Sequence, residues 1–306
     1  LEFDQIDTRH MTIKKHHAKT CKWLLEKSEY LDWFNTSKLG KHHGLLWIKG
    51  NPGTGKSTLM KFALDNARNK IKDGITISFF FNARGCDLER STIGMYRSLL
   101  LQLLKRCTKL QCVFDTPELA TKNRGVHHQW TVESLEELFE KAILKLERSS
   151  LMCFIDALDE CEENEIRDMI SFFEHVGKLA VTTGIRFQVL FSSRHYPHIT
   201  IKRGLQLVLD HQQGHNQDIV HYVNTKLKIG HSKLAEQIRD ELQGKASGVF
   251  LWVVLVVKIL NKEHDDSNIE DLQKKLHDIP ADLHELFRDL LTRDSNNRQR
   301  LLLCIQ

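Results

Sequence analysis

The chain has 306 residues, 41% of them hydrophobic, enough for one large α/β core and a smaller second domain. Its 44 basic and 40 acidic residues give a net charge of +4, spread along the chain with no block of like charge that would mark a nucleic-acid-binding tail. Seven cysteines, at 21, 86, 107, 112, 153, 161 and 304, form no C-x-x-C pair, which argues against a disulfide or zinc framework and leads us to expect reduced thiols in a cytoplasmic protein.

In chain order, residues 1–40 read as a polar helical lead-in. Trp23, Leu24, Leu25, Leu31, Trp33 and Phe34 are spaced to form one apolar face of a helix in TCKWLLEKSEYLDWF. From residue 45 short apolar runs alternate with amphipathic segments. The runs LLWIKG (45–50), ITISFFFNA (75–83), LMCFID (151–156), RFQVLFSS (186–193) and LQLVL (205–209) read as strands, and 57–70, 91–110, 133–148 and 163–181 as helices. This alternation predicts an α/β domain over 41–213, a five-stranded parallel sheet in a three-layer αβα sandwich. The segment 111–130 has no clear period and is expected to be a surface excursion.

After residue 214 the strand signal ends. NQDIVHYVNTKLKI, SKLAEQIRDELQGKASG, VFLWVVLVVKIL and ADLHELFRDLLTR read as helices, so 214–306 is expected to be a helical domain and the start of a following one. VFLWVVLVV (249–257) is too short to cross a bilayer and is followed by Lys258, so a buried helix is predicted rather than a membrane span. There is no signal-peptide pattern. The chain begins without methionine and stops at RLLLCIQ inside an apolar-periodic segment, as expected of a piece of a longer protein.

The segment GNPGTGKS (50–57) fits the pattern G-x-x-x-x-G-K-[ST], between an apolar strand and an amphipathic helix. Glycines there let backbone N–H groups turn inward around phosphates, and the helix start adds a positive end. Gly50, Asn51, Pro52, Gly53, Thr54, Gly55, Lys56, Ser57 and Thr58 are therefore the predicted nucleotide contacts. Lys56 is assigned to the β/γ oxygens and the Ser57 hydroxyl to Mg²⁺.

A carboxylate at the end of a second strand should complete the metal site, and LMCFIDALDECEE (151–163) supplies Asp156 after five apolar residues. Asp159 and Glu160 follow within one turn, and either is placed to orient or deprotonate a water. Their alternative reading is as caps of the helix starting near Glu162, which suits Glu163 better than Asp156. Arg194, at the end of RFQVLFSS, is either a reporter of the third phosphate or a surface arginine. Asn82 and Arg84, after the second strand, are similarly placed. His195 and His198 lack a third ligand at metal-binding spacing.

These segments together resemble the NACHT division of the signal-transduction NTPases with numerous domains, and most of all the fungal nephrocystin-3-like modules. TCKWLLEKSEYLDWF, WIKGNPGTGKSTLM, FFFNARG, STIGMYRSLLLQLL, FIDALDEC, FSSRHYPHI and KASGVFLWVVLVV carry the resemblance. It implies phosphate and Mg²⁺ binding at Lys56 and Ser57, and metal coordination through water at Asp156. It also implies support of hydrolysis by Asp159 or Glu160, and sensing by Arg194. Many relatives place a proline against the base in a G-x-P turn, where this chain has Phe250 in GVFLWV. ATP is the expected nucleotide from its cellular abundance and from the resemblance, and no N-K-x-D guanine reader occurs, while GTP is left open. The resemblance further implies an effector domain before the module, repeats after it, and a slow switch whose triphosphate form self-associates as a homo-oligomer. A nucleotide-stabilised scaffold and a metabolic phosphotransferase are the alternatives.

Overall fold

The structure, a computed structural model, describes residues 1–3, 8–71, 74–114, 130–146, 149–196, 198–210, 212–266 and 268–293. The chain divides into two compact units, one of residues 1–50 and 56–209, the other of 51–55 and 210–306.

The first unit is a parallel sheet covered on both faces. Strands β1 (Leu45–Lys49), β2 (Ile75–Phe80), β3 (Ser150–Asp156), β4 (Arg186–Ser193) and β5 (Leu205–Val208) lie in the order β2-β3-β4-β1-β5. All pairings are parallel, with Leu45 opposite Val189 and Cys153 opposite Val189 from the other side. Because side chains alternate along a strand, Leu45 and Trp47 enter one core and Leu46 and Ile48 the other. Residues apolar on both faces are what this arrangement demands, hence the unbroken run LLWI.

On one face pack α5 (Thr92–Arg106), α6 (Val132–Leu144) and α7 (Glu163–Thr183). They enclose Tyr96, Phe139 and Phe173 against Phe187 and Phe191 of β4. The other face receives α4 (Lys56–Lys70) through Leu59, Met60, Ala63, Leu64 and Ala67, spaced as one helical stripe. On the α4 face lie also a short α1 (Thr8–Thr12), a 3₁₀ turn over Lys22–Glu26 and α2 (Ser28–Phe34), and a one-turn α3 (Leu39–His42) leads into β1.

The single helix expected over 20–34 is thus two pieces, broken at extended Lys27. Leu24 and Trp33, nine residues apart, would point to opposite sides of one continuous helix, yet both are fully buried in the same core. The break turns both inward and leaves Leu31, expected on the apolar face, 52% exposed. The expected excursion at 111–130 starts as a 3₁₀ turn, Thr108–Phe114, and its residues 115–129 lie outside those described.

The second unit is helical: α8 (Gln213–Lys226), α9 (Lys233–Ala246), α10 (Phe250–Asp266), α11 (Ile269–Asp278) and α12 (Leu283–Arg293). The apolar run of α10 buries Trp252, Val253, Val256, Val257 and Leu260 on one face. Trp252 donates its indole N–H to the Pro280 carbonyl at 2.8 Å. Sequence periodicity did not single out α11, whose only buried residues are Leu272 and Leu276. The start of a following domain was expected to include 294–306, which lie outside the described residues. Among the described residues no helix is long and apolar enough to cross a membrane.

Candidate nucleotide-binding site

Residues 50–57 connect the end of β1 to the start of α4. Gly53 (φ +77°) and Gly55 (φ +92°) adopt the left-handed conformation that a side chain would strain. A Cβ on Gly55 would meet nothing within 4 Å, so the backbone there borders open space. Inside the second unit, Thr54 donates its hydroxyl to the Asn51 carbonyl at 2.9 Å, and the Asn51 N–H donates to Asp210 Oδ1 at 3.3 Å. The Leu251 N–H donates to the Gly53 carbonyl at 2.9 Å. Lys56 Nζ donates to the Gly50 carbonyl at 2.8 Å, which turns the ammonium back over the loop.

Asp156 ends β3 with no exposed surface. Ser192 Oγ, on the neighbouring β4, donates to Asp156 Oδ1 and accepts the Ala157 N–H at 3.2 Å. Asp156 Oδ2 is buried without a hydrogen-bond partner. Burial pushes the Asp156 carboxyl up to about 6, against the opposing pull of the Ser192 and Ser57 hydroxyls. A buried carboxylate oxygen with no donor suits a water-clad cation, so the residues present fit Mg²⁺. Ala157, the next residue, takes a left-handed turn (φ 58°) that reverses the chain into a 3₁₀ turn, Leu158–Glu160.

That turn holds the two acids apart. Asp159 Oδ2 lies 2.9 Å from Arg194 Nε, and its Oδ1 accepts the Arg194 backbone N–H at 2.9 Å. Glu160 Oε2 accepts the Ala83 N–H at 2.8 Å, and its Oε1 lies 3.7 Å from an Arg9 terminal nitrogen. The structure therefore brings Ser57, Asp156, Asp159, Glu160 and Arg194 to one edge of the sheet, with β4 between β1 and β3. Asn82 is committed elsewhere: its side-chain amide donates to Glu89 Oε1 at 3.1 Å, and its backbone N–H to the Glu89 carbonyl. Arg84 donates its backbone N–H to Asn82 Oδ1 at 3.3 Å.

Three participants were not singled out by sequence. The role of Ser192 depends on strand order, which the pair Ser192–Ser193 does not reveal. Glu89 lies in a 3₁₀ turn without periodicity. Arg9 is more than 150 residues from the acid it faces.

Residues 19–194, more than half of the chain, match the family model described as Nephrocystin 3, N-terminal. The chain belongs to that family. It is a P-loop nucleotide-binding module of the NACHT kind. It is 26% identical over 289 residues to the vegetative incompatibility protein HET-E-1 of Podospora anserina, a match covering 88% of this chain. The chain spans only 20% of that relative's length. Among solved structures, the Cdc6p protein of Pyrobaculum aerophilum is 12% identical, covers 84% of this chain and 65% of its own, and has a TM-score of 0.48. The Walker-type ATPase paby2304 of Pyrococcus abyssi is 11% identical, with 89% and 76% covered and a TM-score of 0.48.

Proposed function

We propose that this nephrocystin-3 N-terminal module is a nucleotide-controlled switch. It binds ATP, with GTP as the other candidate, hydrolyses it slowly, and self-associates in the triphosphate form within a longer cytoplasmic recognition protein. In this reading residues 1–40 form a lead-in, 41–213 the NTPase domain and 214–306 the helical domain. An effector domain precedes them and a repeat array follows. Nucleotide, not nucleic acid, is the partner, consistent with the dispersed charge.

The observation that carries the reading is the buried, unpartnered Oδ2 of Asp156 on the strand edge beside Ser57. A core that strands a carboxylate oxygen in this way is destabilised until a cation takes it up. Mg²⁺ would be held by Ser57 and Asp156 and would offset the negative charge of the phosphates. The loop's own N–H groups and the start of α4 would receive phosphate oxygens. Lys56 exchanges the Gly50 carbonyl for a charged partner, and Glu160 positions or deprotonates water.

One observation favours the second reading, a nucleotide-stabilised scaffold with little turnover. Both acids are already engaged, Asp159 by Arg194 and Glu160 by the Ala83 N–H. A single-turnover hydrolysis assay with Lys56→Ala as control separates the two. Hydrolysis that Lys56→Ala abolishes supports the switch, and tight binding without hydrolysis supports the scaffold. Unchanged affinity of Lys56→Ala for both ATP and GTP removes the loop assignment altogether.

A further inference from the structure

The N-terminal segment is fastened over α4 and the edge of β2 by contacts that a solvated tail would not make. Lys61, on α4, donates to the carbonyls of His10 and Ile13, each at 2.8 Å. The His10 ring sits 5.0 Å from that of Phe80, the last residue of β2, and the His16 ring meets Phe62 of α4 edge-on at 5.0 Å. A lysine that gives two donors to backbone carbonyls of a distant segment fixes that segment's path.

The path ends at Arg9, which faces the acids of the site. Its terminal nitrogen is 3.7 Å from Glu160 Oε1, a charge pairing too long for a hydrogen bond. Arg9 Nε is buried and has no hydrogen-bond partner. A guanidinium held among carboxylates with a buried donor unspent lacks an acceptor, and it carries the planar fork that matches a phosphoryl group.

We propose that Arg9 is a second arginine of the nucleotide site, delivered in cis by the N-terminal segment and directed through Nε at the outermost phosphate of a bound triphosphate. This rests on reading residues 50–57 as the phosphate loop. It adds to that reading a route by which residues ahead of the NTPase domain register the nucleotide. With triphosphate present Arg9 gains a charged acceptor, and the segment that carries it is held more firmly. With diphosphate it keeps only the long pairing to Glu160.

The test measures affinity for ADP and a non-hydrolysable ATP analogue in wild type, Arg9→Ala and Arg9→Lys, together with amide exchange of residues 8–20. Arg9→Ala should reduce the preference for the analogue over ADP about tenfold. Arg9→Lys, which keeps the charge, should reduce it less. The analogue should slow exchange of residues 8–20 in wild type but not in Arg9→Ala. Equal loss of both ligands, or no loss of either, makes Arg9 a structural strut and overturns the proposal. Failure of the underlying reading is distinct: Lys56→Ala would then bind both ligands as wild type does.

Discussion

Arg194 addresses Asp159 twice, through its backbone N–H at 2.9 Å and its Nε at 2.9 Å, so the arginine at the end of β4 and the acid after β3 form one clamp across adjacent strands. Asp159 has only 8% of its side chain exposed, against 55% for Arg194. The buried partner fixes the exposed one. The clamp uses Nε, and a guanidinium carries two further nitrogens suited to a phosphate.

Replacing Arg194 by alanine should therefore weaken triphosphate binding about tenfold more than diphosphate binding. Asp159→Asn should lower the same preference by releasing the clamp, and the two changes should be non-additive by about 0.5–3 kcal/mol in a double-mutant cycle. Paired titrations of ADP and an ATP analogue decide it. Additive effects would separate Asp159 from the sensing role.

Glu160 is the better-placed acid for turnover, because Asp159 is neutralised by its clamp. Glu160→Gln should retain nucleotide while slowing hydrolysis by roughly 10²–10⁴-fold. Single-turnover rates check this. An unchanged rate would leave Glu160 only its bond to the Ala83 N–H.

Ser192 satisfies both Asp156 Oδ1 and the Ala157 N–H from inside the core. Ser192→Ala leaves both groups without that partner and should cost about 1–3 kcal/mol of stability, seen as a lower urea midpoint. Mg²⁺-dependent nucleotide binding should fall with it. A midpoint equal to that of wild type would show the hydroxyl to be dispensable.

His42 makes stability depend on pH. Its Nδ1 accepts the Gly44 N–H at 3.2 Å, which assigns the proton to Nε2, 3.1 Å from the Asp32 carbonyl. Burial holds its pKa below the usual 6.5, so the folded state disfavours the cation relative to the unfolded chain. The stabilisation is present above 6.5 and is lost as pH falls through the lowered folded value. Urea midpoints should drop between about pH 7.5 and 5.5 in wild type and vary less in His42→Gln. Parallel curves for the two proteins would assign the acid response to other groups.

The sequence declares the sheet well because its interior strands are buried on both faces and carry long apolar runs, as LLWI and LMCFI do, although the edge strand β5 leaves Gln206 and Val208 exposed. The phosphate loop is equally legible, since its glycines answer a local backbone need at Gly53 and Gly55. What stayed hidden depends on tertiary packing. The break at Lys27 follows from a core that wants Leu24 and Trp33 on the same side. The partnership of Ser192 with Asp156 requires β4 to lie beside β3, and Arg9 meets Glu160 where Lys61 and the ring contacts of His10 and His16 hold the N-terminal segment. Residue patterns within a window of about fifteen positions carry neither of the last two relationships, and they do not reveal the core that imposes the first.

The position of β1 inside the sheet sets the order of events during synthesis. Leu45 pairs with Val189 on one side and Leu46 with Leu205 on the other, so neither neighbour of β1 exists when the strand leaves the ribosome. At about 5–20 residues per second, LLWIK waits roughly seven to thirty seconds for β4. During that interval an interior strand of the finished sheet is an unpaired, apolar ribbon, while β2 and β3, both made before β4, already have each other as partners.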